Sequence, residues 1–240
     1  VYLSRVFLNP RRRGAKLFLG SPQRLHAAVL SSFAQDPPTG ADDGPRVLWR
    51  LDADDRRRPV LWVSSPDRPS FENITDDYGW PGAEAPYETR SLHSLLERLS
   101  PGQEYVFRLT VNPVKAEAGR IGPDGRRGRG KVVPLAGAAR VEWLVDRSAK
   151  WGFEIPPGPV PTPEGAPAHA VEIRDSQRLR FHKGRGADEG GGRAVVLQTA
   201  TVEGTLRVTD AAAFRRTLTR GVGRARAYGC GMMTLAWPAP

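Results

Sequence analysis

Apolar and polar residues alternate over residues 2–8 (YLSRVFL), a run rich in strand formers that predicts a first strand. Asn9-Pro10 ends it. Ser21-Pro22 then reads as a helix start, with a serine cap and proline at the first helical position. Leu25, Ala28, Val29 and Phe33 recur at helical spacing, so the helix is predicted to run to about Phe33 with these residues buried. Residues 46–51 and 60–64 predict two strands joined by the charged loop DADDRRRP. Signals are weak over residues 66–89. Residues 90–99 (RSLHSLLERL) predict a short helix, and residues 104–111 (EYVFRLTV) alternate clearly as a strand. The order strand, helix, strand, strand, helix, strand is that of a ferredoxin-like unit.

The second half is a looser echo. Residues 115–131 hold basic residues among five glycines, where no core can form, and predict a mobile or ligand-ordered loop. A helix is predicted over residues 138–151, with Val141, Leu144 and Val145 spaced for burial. Residues 156–167 are proline-rich and irregular. Strand pieces at 171–173 and 178–181 lead into the tip HKGRGADEGGG, followed by strands at 193–202 and 204–208. The chain closes with a helix from Asp210, a loop holding Gly221, Gly223, Gly229 and Gly231, and an apolar strand from Met232. The predicted fold class is α+β: two tandem ferredoxin-like (RRM-like) domains, each an antiparallel sheet backed by helices. The predicted boundaries are residues 1–112, a basic linker at 113–131, and residues 132–240.

Charge sharpens this picture. The chain of 240 residues has a net charge of +10 and a pI near 10.4, which favours a polyanionic partner. The 26 acidic residues mark a folded basic protein and not a basic tail. The alternative to a polyanionic partner is a coding bias toward Arg, Ala, Gly and Pro, which inflates arginine without function and which the excess of arginine over lysine fits. A single cysteine, Cys230, excludes an internal disulfide framework and a cysteine-based zinc site. No apolar run is long enough for a membrane span, and no signal peptide is visible, so a cytoplasmic protein is expected. Val1 in place of Met fits an alternative start codon or a trimmed end.

Candidate chemistry is sparse. His26, His93, His169 and His182 lack metal-ligand spacing, no acidic cluster joins them, and no cofactor motif is present. Neither a metal nor a cofactor is expected. His26 lies at the margin of the first helix's apolar stripe. Near a helix start the macrodipole disfavours a proton on imidazole, and a histidine titrating near neutrality passes protons either way. A lone helix histidine is more often a boundary residue than a catalyst. The final loop sets Arg220, Arg224 and Arg226 among glycines. It lacks the Gly-Lys-Ser/Thr and the strand-to-helix order of a P-loop. It reads equally as a polyanion contact and as a flexible turn.

Several stretches together resemble a known family: YLSRVFLNP, SPQRLHAAVLSSF, RLTVNPVK, VEGTLRV and RGVGRARAYGCGMMTLA. The chain is similar to the CasE family, the CRISPR repeat-processing endoribonucleases of type I-E Cascade. The resemblance spans nearly the whole chain. It implies two ferredoxin-like domains and metal-independent cleavage of the repeat RNA at the base of its stem-loop. The implied ends are a 5′-hydroxyl and a 2′,3′-cyclic phosphate, with the enzyme retained on its product hairpin among the other Cascade subunits. The family's catalytic histidine falls at His26. Some members carry a tyrosine three residues earlier; here that position is Gln23, which cannot exchange a proton and offers support at most. His26 then works alone or with a lysine or arginine that stabilises the phosphorane. The basic hairpin implied to enter the RNA groove maps loosely onto Arg178, Arg180, His182, Lys183 and Arg185. Further RNA contacts are expected at Arg11, Arg12 and Arg13, at Lys115, Arg126, Arg127, Arg129 and Lys131, and at Gly221, Gly223, Arg224 and Arg226. The alternative is a non-catalytic RNA-hairpin-binding subunit of the same fold.

Overall fold

The computed structural model describes residues 1–35, 44–119, 126, 128, 130–158, 168–183 and 192–238. It is an α+β protein of two ferredoxin-like units. In the first, β1 (Tyr2–Phe7) pairs antiparallel with β3 (Val60–Ser65) and β4 (Tyr87–Ser91), and β2 (Leu48–Asp52) pairs with β3. The strand order β2-β3-β1-β4 is the ferredoxin-like one. Helices α2 (Pro22–Leu30) and α3 (Glu72–Tyr78) are the two crossovers, and the short α1 (Ala15–Leu19) precedes them. Val6, Leu25, Val29, Leu61, Val63, Phe71 and Ile74 form its core.

Ser21 caps α2 as expected, its hydroxyl accepting the Arg24 amide at 3.3 Å. Leu25 and Val29 are buried, while Ala28 and Phe33 pack at the core's margin. The helix stops at Leu30, earlier than its apolar spacing suggests. The Ser31 and Ser32 hydroxyls both donate to the Ala28 carbonyl, and such local side-chain bonds compete with the continuing helix.

The first unit has the expected order but is built from different pieces. Its second helix and last strand are α3 and β4, from the stretch where signals were weak. Arg90 and Ser91 lie in β4, and only His93–Arg98 forms a helix, α4. The strand expected to close this unit, β5 (Glu104–Val111), belongs to the other sheet. The chain therefore changes sheet between Ser91 and Glu104, not at residue 112. Alternation revealed β5 as a strand, but which edge it joins is decided by burial of Tyr105, Phe107, Leu109 and Val111 in the second core.

The second unit runs β5, α5 (Ala139–Ser148), β8 (Phe153–Glu154) and β9 (Val171–Lys183), β10 (Arg193–Val208), α6 (Ala211–Arg220) and β11 (Met233–Ala236). Its strand order is β11-β5-β10-β8, with β9 also on β10. The two predicted strand pieces before the tip form one strand, and those after it form another. Gly204 does not interrupt β10: a Cβ there would lie 2.2 Å from the Ala170 carbonyl oxygen, so glycine admits the close-packed chain. The two ends of the basic stretch pair as a hairpin of β6 (Val114–Glu117) and β7 (Lys131–Pro134), while residues 120–125, 127 and 129, within the expected loop, lie outside the described residues. Among the described residues no helix is long and apolar enough to cross a membrane.

One buried side chain ties the units together. Arg50 of β2 is 2% exposed. It grips Asp52 through two bonds of 2.7 and 2.9 Å, and donates to the Arg108 and Met232 carbonyls and to Thr234 Oγ1 in the second sheet. These five bonds match the donor capacity of a guanidinium.

Candidate active site

Helix α2 turns Leu25 and Val29 into its own core, which leaves His26 on a neighbouring face. Parts of the second unit cover that face. The short turn Arg226–Tyr228 sets the Tyr228 ring edgewise to His26, centroids 6.2 Å apart. Tyr228 in turn packs on Phe181 of β9 at 4.7 Å. His26 is half-buried, neither sunk in the core nor open to water.

Burial, Lys183 and Arg46, in that order, hold the His26 imidazole below its ordinary value of 6.5. The cause differs from the macrodipole suggested by the sequence: it is cover and cations brought by distant segments. Arg46 is anchored there by its backbone, whose amide donates to the Thr219 carbonyl of α6 at 3.1 Å. Arg46 and Arg226 are both lowered, by burial first and then by neighbouring arginines, Arg226 and Arg220 for Arg46 and Arg220 for Arg226. The junction around His26 is therefore rich in positive charge. A neutral imidazole there is a proton acceptor, and the cations around it suit an anion.

The glycine loop shapes this junction by packing. Gly229 has φ +79°, and a Cβ would stand 2.9 Å from the Trp49 ring. At Gly221, φ +69°, a Cβ would strike Leu48 at 2.8 Å. Both glycines let the loop lie directly on β2 and carry Tyr228 to α2. Gly223 lies near Trp143. Arg226 folds back within the loop, its Nη1 donating to the Arg220 and Gly221 carbonyls at 3.4 and 3.5 Å. Arg224 stays exposed.

The register divides the hairpin cluster. Phe181 pairs with Val195 and Lys183 with Arg193, while Arg180 pairs with Val196 and Arg178 with Gln198. Alternation sets Phe181 and Lys183 on the face turned to His26 and Tyr228, and Arg178, Arg180 and His182 on the opposite face. Arg185 lies outside the described residues, as do Arg127 and Arg129. Lys115 and Lys131 are exposed on the β6–β7 hairpin, Lys131 facing Glu117 at 3.5 Å, and Arg126 is exposed nearby. Arg12 binds the Asp76 and Asp77 carbonyls at the end of α3, while Arg11 and Arg13 are exposed. Gln23 is half-buried, and its side-chain oxygen is buried with no hydrogen-bond partner.

Sequence reasoning missed Tyr228, Arg46 and Phe181. Nothing local marks Arg46 or Phe181, since only the meeting of two units brings them to α2. Tyr228 carried a faint signal: it is an aromatic residue flanked by alanine and glycine, where no core pattern calls for one. Among the described residues, no three His, Cys, Asp or Glu side chains gather as a ligand set. Cys230 is fully buried, and burial pushes its thiol up to about 12.

The same architecture occurs in known proteins. A family model described as CRISPR associated protein matches residues 1–237. The CRISPR-associated endoribonuclease Cse3 of Thermus thermophilus is 28% identical over 237 residues, covering 98% of this chain and all of that protein. The Cascade subunit CasE of Escherichia coli is 27% identical over 146 residues, 58% of this chain and 61% of that one. The structure of T. thermophilus Cse3 bound to an RNA representing a pre-cleavage complex superposes with a TM-score of 0.68 at 29% identity, covering 98% of each chain. The chain belongs to the CRISPR associated protein family, on the CasE/Cse3 side of it.

Proposed function

We propose that this protein is an endoribonuclease that binds the stem-loop of CRISPR repeat RNA and cleaves the precursor at the stem base, then stays on the product hairpin as a Cascade subunit. The observation that carries the reading is His26: a half-buried imidazole on α2, lowered in pKa, beside the glycine loop and the basic strand β9. Its relatives' names supply the substrate class.

The chemistry follows from the substrate. RNA carries its own nucleophile. Neutral His26 takes the proton of the 2′-hydroxyl, and the oxygen attacks the adjacent phosphorus. The P–O5′ bond breaks, and the departing oxygen takes back one proton, which His26 gives up directly or through solvent, so the imidazole is again neutral. The ends are a 2′,3′-cyclic phosphate and a 5′-hydroxyl. Lys183 and Arg46 stand where they oppose the extra negative charge of the phosphorane. The reaction so written consumes no water and uses no metal ion, so we propose metal independence. Gln23 contributes no proton.

Incubating the protein with its host's repeat hairpin in EDTA tests this. A single cut with cyclic phosphate ends is expected, and a 2′-deoxy sugar at the scissile nucleotide should stop it. A second reading, a non-catalytic hairpin-binding subunit, is favoured by Gln23 alone. A hairpin left intact overnight despite tight binding selects it.

A further inference from the structure

We infer that a notch beside the catalytic junction holds one unpaired nucleobase flanking the scissile phosphate, reading it through Asn112 and the free edge of β10. The inference rests on the RNA-cleaving reading above and adds a recognition site to it.

The notch exists because two strands part. β5 and β10 pair from Ala200↔Val111 onward toward the rest of the sheet. Beyond Val111 the chain turns away through Asn112 and Pro113 into β6, while β10 extends back to Arg193 with β9 on its other side. Among the described residues no strand pairs with this edge of β10 from Arg193 to Thr199. The space left measures about 320 Å³, at the small end of ligand sites, which suits a single nucleotide.

Its lining has the two surfaces a base needs. Val132 and Val196 are 45% and 49% exposed, unusual for β-branched residues on a sheet, and with Tyr228 they offer apolar walls to a flat ring. Asn112 is 7% exposed, and its side-chain oxygen is buried without a partner. A buried acceptor left unpaired is costly and asks for a donor. The N–H groups on a base edge supply one, and carboxamides pair with such edges. Set opposite the exocyclic position of the base, the acceptor favours an amino group over the O4 of uracil, whose one pairing donor is the ring N3–H. The exposed Arg224 lines the notch and suits the phosphate.

Tyr228 makes the connection. It lines the notch and also meets His26. A strand whose phosphate sits at His26 has its neighbouring base within reach of the notch.

The test is a set of repeat hairpins extended through the cleavage position and made uncleavable by a 2′-deoxy sugar. Each flanking nucleotide is made abasic, or uracil, in turn. Loss of one base should weaken binding by about five- to twentyfold, the scale of one stacked base. Uracil there should bind less well than an amino-bearing base. Val196→Trp, which fills the notch from an exposed position, should erase the difference between base and abasic RNA, and Asn112→Ala should erase discrimination against uracil. Equal binding of abasic and intact RNA at both positions, or a base preference that survives Val196→Trp, overturns the inference. Failure of the wild-type protein to bind or cut any repeat hairpin would instead strike the RNA-cleaving reading beneath it.

Discussion

The junction of the two units has two sides, and they treat arginine in opposite ways. On one side Arg50, Arg108 and Arg174 meet carboxylates. Arg108 reaches Asp54 at 2.5 Å, Glu203 at 3.0 Å and Asp52 at 3.5 Å, and Arg174 meets Glu203 at 3.3 Å. Burial works against the Arg108 charge, yet these acids raise its pKa, and the hydrogen bond from Arg108 is the main reason Asp54 is lowered. On the other side Arg46, Arg226, Arg220 and Lys183 push one another or His26 down. Paired charge fixes the units in place; burial, helped by accumulated like charge, holds the pKa of an imidazole down, and that charge suits an anion. The difference teaches that the arginine count of a basic protein says little until each guanidinium is assigned to a side.

Substitutions sharpen that contrast. The largest effect is expected for His26→Ala, which should slow single-turnover cleavage by at least about 10²-fold, the usual weight of one acid–base group. Hairpin binding should stay within a few-fold; weak binding would make His26 a docking residue. Next is Arg50→Ala on the paired side. It leaves Asp52 to the longer 3.5 Å contact of Arg108 and takes a donor from two carbonyls of the second sheet, and should cost about 3–5 kcal/mol in denaturant unfolding. A loss below about 1 kcal/mol would mean that the units hold together without it.

Gly229→Ala forces a Cβ onto Trp49 at positive φ and should cost about 1–3 kcal/mol. The loop that carries Tyr228 would shift with it, so cleavage should fall as well. Tyr228→Ala should slow cleavage roughly tenfold, about 1.4 kcal/mol of barrier, with Tyr228→Phe restoring most of it if the ring's cover is what matters. Loss in both variants would assign the role to the hydroxyl. The smallest effect is a shift. Removing the Lys183 cation relieves one cause of the lowered imidazole, so the pH midpoint of His26 should move up toward 6.5 in Lys183→Ala.

Local chemistry was legible; partnership was not. Ser21-Pro22 announced the start of α2, a helix was expected from Asp210, which caps α6, and the alternation of 104–111 revealed a strand. The sheet that β5 joins is a tertiary decision, set by apolar residues far along the chain. The stretch over 66–89 gave weak signals because α3 has only seven residues, with Ile74 its one buried side chain, and β4 is half-exposed at its start and exposed at its end, with no buried residue. At the site, the family resemblance pointed to His26, whereas Tyr228, Arg46 and Lys183 became its neighbours only through folding. The glycines read equally as a polyanion contact and as a flexible turn; folding adds a packing role, since Gly221 and Gly229 answer to Leu48 and Trp49.

The account's central claim is that a neutral imidazole at the cationic side of the junction starts the attack by the RNA's own hydroxyl. The most direct measurement is the cleavage rate of the repeat hairpin in EDTA against pH, at enzyme concentrations well below saturation, where the free protein's ionisation is read. The account predicts cutting without divalent metal, and a rate that falls on the acid side with a midpoint below 6.5, since the active form is unprotonated and its pKa is depressed. A requirement for added metal, or an acid limb with its midpoint well above 6.5, would contradict it.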